Sequence, residues 1–326
     1  MRRSGYLAFA LLQLSVAPAF AEPVPETGTD WLKTMSIAAH QTDYSGVFVF
    51  QSGGRVEMSR ITHVSDKDGE HERLEGLGGT GRELIRNNDQ VWLYTEGRKI
   101  KIEKRQQVKR TFPALLPEQL SILKDNYRVR QEEDTEIAGY QAHTIVFQPR
   151  DSLRYTRVMW ADIDSGLLLK AAVLDDRGYA IEQYAFMQLD IDGEIDRKWI
   201  ALDKATVTEH SKQTQSPPAA VEPLAESSGW QVDALPPGFK KMFEVRRQLR
   251  EKQEPVIQLV FTDGLAGISV FIEKTGKIDY NHAGLSGEGA THVYTRNSGD
   301  HLVTVVGEVP PMTVIQVGDS VRYAGH

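Results

Sequence analysis

Three long runs of β-forming residues follow one another between residues 143 and 189: HTIVFQP, YTRVMWADIDSGLLLKAAVL and YAIEQYAFMQL. Two turn signals fold the chain back, at Asp164-Ser165-Gly166 and Asp176-Arg177-Gly178. Asp bonds its own backbone in such turns, and Gly adopts the dihedrals a reversal needs. Strands joined by turns this short pair antiparallel, because a parallel crossover takes a dozen or more residues. This meander sets a mainly β (α+β) fold class. Upstream, YSGVFVFQ (44–51) is apolar on both faces, whereas VEMSRITHV (56–64) places Val56, Met58, Thr62 and Val64 on one side. VWLYTEGRKIKI (91–102) reads as a hairpin turning at Glu96-Gly97. Helix signals are few. DWLKTMSIAAH (30–40) carries Trp31, Met35 and Ala38 at helical spacing behind Asp30, and LPEQLSILKDN (116–126) suggests a helical turn with Pro117 near its start. One long, strongly curved sheet, a partly closed barrel with helices covering its open side, accommodates these pieces.

The stretch SKQTQSPPAAVEPLAESSG (211–229) is rich in Ser, Pro, Gln and Ala and lacks aromatics. It cannot bury enough apolar surface to offset its ordering entropy, so an extended linker is expected there. Beyond it, FEVRRQLR, PVIQLVF, ISVFIEK, THVYTRN and LVTVVGEV predict a smaller antiparallel sheet of four or five strands. PPMTVIQVGDSV (310–321) predicts one helix after a Pro pair, although its β-branched residues work against it. At the other end, Arg2 and Arg3 precede an apolar run from Tyr6 to Val16 and the small-x-small signal Ala19-Phe20-Ala21. Residues 1–21 read as a secretory signal peptide, with the mature chain starting at Glu22. The expected division is therefore 22–210, a linker over 211–229, and 230–326. Loss of the two signal arginines takes the net charge from -7 to -9, which speaks against nucleic acid as a partner. With no cysteine in the chain, disulfides and thiolate metal sites are excluded.

No constellation calls for catalysis, a cofactor or a metal. GLGGTG (76–81) matches a dinucleotide-binding pattern literally, but EHERLE before it and RELIRNND after it do not supply the strand and helix that such a site needs. The nine histidines show no metal-ligand spacing and read as solvated or strand-face residues, and no nucleophile elbow is present. Two basic clusters oppose the acidic whole. Arg98, Lys99, Lys101, Lys104, Arg105, Lys109 and Arg110 precede the apolar FPALLP, which holds Phe112, Leu115 and Leu116. A cationic rim beside an apolar lip suits an anionic amphiphile, with Phe48 and Phe50 of the two-faced strand completing the candidate lipid site. A solvated strand face is the competing reading. The second cluster includes Arg246, Arg247 and Arg250, which either dock an acidic partner or mark a charged edge strand. In FTDGLAGISVFIE (261–273), Thr262, Asp263 and Gly264 form a hairpin turn, with partner contact a secondary role for Thr262 and Asp263.

FTDGLAGISVFIE and VTVVGEVP, together with YSGVFVFQ, RITHVSDKDGEHERLEGLGGTGRELIRNND and RYTRVMWADIDSGLLLKAAVL, resemble the periplasmic RseB/MucB family across the mature chain. That resemblance implies a negative regulator of the sigma-E type envelope-stress response. Such a protein binds the periplasmic part of a membrane-spanning anti-sigma factor (RseA/MucA type) and shields it from the protease that starts its degradation. The resemblance also implies a first domain shaped like the carriers LolA and LolB. That domain is an open β-barrel that takes acyl chains or lipopolysaccharide, whose binding releases the partner. A periplasmic carrier of lipid or lipoprotein is the alternative, and self-association is left open.

Overall fold

The computed structural model describes residues 29–79, 81–95, 98–102, 111–117, 120–200, 221–223, 227–248, 254–275 and 283–325. The expected signal peptide and mature start lie outside them, as does most of the expected linker. The first helix, α1, spans Thr29–Gln41, and the strands that follow are β1 (Tyr44–Ser52), β2 (Arg55–Asp66), β3 (Gly69–Gly76), β4 (Glu83–Asn87), β5 (Gln90–Thr95) and β6 (Arg98–Ile102). A short helix α2 (Ser121–Asn126) leads to β7 (Tyr127–Ile137), β8 (Tyr140–Pro149), β9 (Thr156–Asp162), β10 (Leu168–Leu174) and β11 (Ala180–Ile191). These eleven strands form one antiparallel sheet in the order β6-β5-β4-β3-β2-β1-β11-β10-β9-β8-β7. The chain meanders outward from β1 to one edge, crosses by way of α2 to the other edge, and meanders back to pair β11 with β1.

Directly opposed residues of antiparallel strands share a face, so the register identifies the inner surface. Tyr44, Phe48, Ile61, Phe186, Ala171, Met159, Ile145 and Phe147 line it, joined by Leu32 and Met35 of α1 and Leu123 of α2. Fully burying each large side chain contributes roughly 1.5–3 kcal/mol, which is why the helices settle on this face. The expected helical stripe is adjusted to Leu32, Met35, Ala38 and Ala39, with Trp31 half-buried and edge-on to His143. On β2, Val56, Met58, Thr62 and Val64 share one side, as the pattern has it, but burial does not follow the pattern: Val56 and Met58 are 62% and 47% exposed and Val64 is buried, while Ile61 and His63 are buried on the inner side.

The C-terminal part holds β12 (Val221–Pro223), β13 (Trp230–Val232), β14 (Lys240–Arg247), β15 (Val256–Thr262), β16 (Gly267–Lys274), β17 (Gly284–Glu288), β18 (Thr291–Ser298), β19 (His301–Gly307), a helix α3 (Pro311–Asp319) and β20 (Val321–Tyr323). Among the described residues the main sheet has seven strands, in the order β12-β14-β15-β16-β19-β18-β17, with β13 and β20 as a separate pair. It is larger than the sequence predicts, and β12 falls inside the expected linker because Val221–Pro223 pair with Val245–Arg247. The PPMTVIQVGDSV helix forms despite its β-branched residues. Val314 and Val317 are fully buried against a core that includes Val270, Val303 and Val305, and tertiary burial outweighs a weak local preference.

Candidate amphiphile site and domain junction

The inner face of the large sheet carries an aromatic cluster. Phe48 lies 5.1 Å from Phe112 and 6.0 Å from Phe186, ring centre to ring centre, and Phe112 stacks on Tyr184 at 5.5 Å. Phe50 meets Tyr184 at 4.6 Å. Phe112 reaches the cluster on the connection between β6 and α2, which also delivers the buried Leu116 and the half-buried Leu115 to the same core. The fold thus brings together Phe48, Phe50, Phe112, Leu115 and Leu116, five of the apolar residues singled out from the sequence. Their environment is oily and aromatic, the chemistry that holds an acyl chain.

The cationic half of that site is placed differently. Tracing the register from Phe48 through β2 to β6 puts Leu93, Ile100 and Ile102 on the inner face and Trp92, Tyr94, Lys99 and Lys101 on the outer one. Lys99 Nζ sits 4.5 Å from the Trp92 ring centre and 4.9 Å from that of Tyr94, and Lys101 Nζ lies 5.7 Å from Trp92. These ammonium groups rest on aromatic faces on the outer side, away from the core. Side chains alternate along a strand, so Lys99 and Lys101 of the expected cationic rim face away from the core that Phe112, Leu115 and Leu116 join. Lys104 and Arg105 lie outside the described residues.

At the junction of the two domains, the hairpin between β15 and β16 meets the end of the large sheet. Asp263, which is fully buried, receives a hydrogen bond from Arg154 Nε at 2.6 Å and from the Tyr127 hydroxyl at 2.8 Å on its Oδ2. Its Oδ1 accepts the backbone N–H of Leu265 at 3.0 Å and of Ala266 at 2.8 Å, tying the turn itself. Arg154 is also paired with Asp151 and donates to the Pro237 carbonyl. Burial works against the charge on Arg154, but Asp263 and Asp151 more than offset it and hold the guanidinium above its ordinary pKa. Burial, and then the neighbouring Asp263 charge, raises the Tyr127 phenol. Arg157 faces Glu308 at 3.4 Å, and the Thr313 hydroxyl donates to the Leu153 carbonyl at 3.0 Å. Thr262 is absorbed by its own turn, donating to Ala266 O and accepting from Gly264 N. The sequence reading finds the turn but misses Arg154, Tyr127 and Arg157. Only Arg157, a charged residue leading into the apolar run VMWA, carries a signal in the sequence. With its carboxylate enclosed between the domains, Asp263 presents nothing to an outside partner in this arrangement.

Of the other basic candidates, Arg246 is exposed on β14, Arg247 is half-buried with its pKa lowered by burial, and Arg250 lies outside the described residues. The charged-edge reading of this strand does not hold along Val245–Arg247, where β12 pairs with it. The strand-face reading of the histidines fits His63 on β2 and His71 on β3. His63 is fully buried, with Nδ1 donating to the Thr42 carbonyl at 2.8 Å and Nε2 meeting Glu70 Oε1 at 3.2 Å. His40 Nδ1 reaches the same Glu70 oxygen at 3.1 Å. Burial would raise the Glu70 carboxyl, but the two histidine bonds outweigh it and lower its pKa to about 2. His71, also buried, bonds Asn87 at 2.7 Å. This cluster clamps the end of α1 to β2 and β3. Among the described residues no group of three or more His, Cys, Asp or Glu suits a metal ion.

The sequence model of the MucB/RseB N-terminal domain matches residues 27–203, and that of the MucB/RseB C-terminal domain matches 224–322. The chain belongs to the MucB/RseB family. Among its MucB/RseB relatives, the sigma factor AlgU regulatory protein MucB of Pseudomonas aeruginosa is 30% identical over 311 residues, covering 90% of each chain. The sigma-E factor regulatory protein RseB of Escherichia coli K12 is 23% identical over 308 residues, covering 94% of this chain and 93% of the other. A crystal structure of MucB in complex with MucA(peri) superposes with a TM-score of 0.70 at 27% identity, covering 92% of this chain and all of that one. A crystal structure of MucB gives 0.61 at 26% identity, with 90% and 97% covered. MucB/RseB proteins are regulatory binding proteins, so the absence of a catalytic constellation in the sequence has a family-level reason.

Proposed function

We propose that this protein is a periplasmic negative regulator of envelope-stress sigma-factor signalling. It binds the periplasmic segment of a membrane-spanning anti-sigma factor and shields that segment from the initiating protease. The observation behind this reading is the match of both domains to MucB structures solved with MucA, at a TM-score of 0.70 and 0.71 and 27% identity. An acylated anionic amphiphile such as lipopolysaccharide, entering the aromatic inner face at Phe48, Phe50, Phe112, Leu115 and Leu116, releases the partner. What supports this step is the apolar chemistry of that face. Against a carrier stands the second domain, whose hairpin is bonded into the end of the large sheet, an addition that a shuttle has no use for. Incubating the purified protein with the anti-sigma segment and titrating lipopolysaccharide tests both steps. Co-elution that lipopolysaccharide dissolves is expected; failure to co-elute without lipid removes the regulatory reading, and co-elution indifferent to lipid removes the sensing step.

A further inference from the structure

The hairpin between β15 and β16 reaches beyond its own domain. Its tip residue Leu265 is packed against the hydrophobic core of the N-terminal sheet, the core that contains Phe48, Phe112 and Leu116. Gly264 brings the backbone so close that an added Cβ would stand 3.1 Å from Leu123 Cδ2 and 3.3 Å from Pro117 Cγ. Leu123 belongs to that core and Pro117 ends the FPALLP segment that delivers Phe112. The tip is held by the buried group of Asp263, Arg154 and Tyr127, one residue from the C-terminal domain and two from the N-terminal domain. Leu265 is therefore a half-buried apolar group from one domain packed against the apolar core of the other, with a charged catch beside it.

We propose that the hairpin tip is the resident occupant of the amphiphile site: an acyl chain entering the inner face competes with Leu265, and its binding opens the Arg154–Asp263–Tyr127 catch. The inference rests on the amphiphile reading above and names how that site is wired to the C-terminal domain. A catch built from a buried ion pair suits this role. Its mutual attraction is offset by the cost of removing both charges from water, and that cost is recovered when the joint opens and both groups are wetted. A purely apolar joint has no such return. If the tip is seated about ten times as often as it is free, the apparent affinity for the competing chain is lowered about tenfold, because only the open fraction is competent.

Two variants approach the joint from opposite sides. Leu265→Asn removes the apolar tip and leaves the ion pair; Arg154→Met removes the catch and leaves the hairpin untouched. The probe is lauroyl lysophosphatidylglycerol below its micelle concentration, with binding followed by calorimetry and backbone hydrogen exchange followed over residues 261–267. Both variants are expected to bind the probe about tenfold more tightly than the unaltered chain. In the unaltered chain, saturation is expected to speed exchange of the Leu265 and Ala266 amides, which keep Asp263 Oδ1 as their acceptor inside the turn but lose the cover of the opposite domain. Wild-type affinity in both variants, or a tip whose protection is unchanged at saturation, overturns the proposal while leaving amphiphile binding in place. If neither the unaltered chain nor either variant binds the probe, the amphiphile reading falls and takes the proposal with it.

Discussion

Replacing Arg154 by Met tests the junction energetically. Both side chains of the Arg154–Asp263 pair are fully enclosed, with Nε 2.6 Å from Oδ2. Removing the cation leaves a buried carboxylate, a change that costs about 3–5 kcal/mol when the charge stays out of water. Asp263 keeps the Tyr127 hydroxyl and the Leu265 and Ala266 amides as donors. Three remaining bonds place the loss at the lower end, about 3 kcal/mol. Asp263→Asn in the Arg154→Met background removes the stranded charge, so the double variant loses less than the two single losses together, by about 2 kcal/mol. Urea unfolding followed by tryptophan fluorescence, fitted for each member of the cycle, supplies these values. A loss below about 1 kcal/mol for Arg154→Met, combined with additive effects in the double variant, would show that the pair is not desolvated and would refute the closed junction.

The Glu70 carboxyl, whose folded pKa of about 2 lies below its ordinary 4.5, contributes stability that is fully present above pH 4.5 and is lost as pH falls through 2. The shift corresponds to about 3 kcal/mol, which partial exposure trims to about 2. Melting curves between pH 5 and pH 2 are expected to flatten in Glu70→Gln, and an unchanged slope would contradict the histidine clamp. Gly264→Ala is expected to cost about 1–3 kcal/mol, since its φ is +100° and the new Cβ meets Leu123 and Pro117; calorimetric melting that shows no loss counts against the close approach. Lys99→Glu with Lys101→Glu, on the outer face, is expected to change the lipopolysaccharide concentration needed for release by less than about threefold, as for screened surface charge. A tenfold change in that titration would bring the headgroup to the outer side.

The antiparallel meander was legible because its turns are written in Asp and Gly and its strands in long β-branched and aromatic runs. Residues 164–166 and 176–178 join β9 to β10 and β10 to β11, the pairs that the sequence calls for. The apolar half of the candidate site was legible for the same reason, since Phe48, Phe112 and Leu116 are buried where hydrophobic patterning sends them. Which face the charged half takes was not legible. A cluster of lysines in a linear segment says nothing about which face receives each one until the strand period is applied, and Lys99 and Lys101 then fall opposite Ile100 and Ile102. The sequence marks Asp263 as a turn former, and it is one, through Oδ1. Its second oxygen joins Arg154 and Tyr127, 109 and 136 residues away along the chain, a pairing that only tertiary structure reveals. The helix at Pro311–Asp319 ran against local propensity because the burial of Val314 and Val317 decides it.

The central claim is that the protein shields a partner from proteolysis without chemistry of its own. The direct measurement is a reconstituted digest in which the initiating protease acts on the anti-sigma periplasmic segment, alone and with a molar excess of this protein, with cleavage followed over time. The account predicts slowed cleavage with the protein present, no cleavage by the protein alone, and recovery of the original rate when lipopolysaccharide is added. Cleavage at the same rate with and without the protein would contradict it.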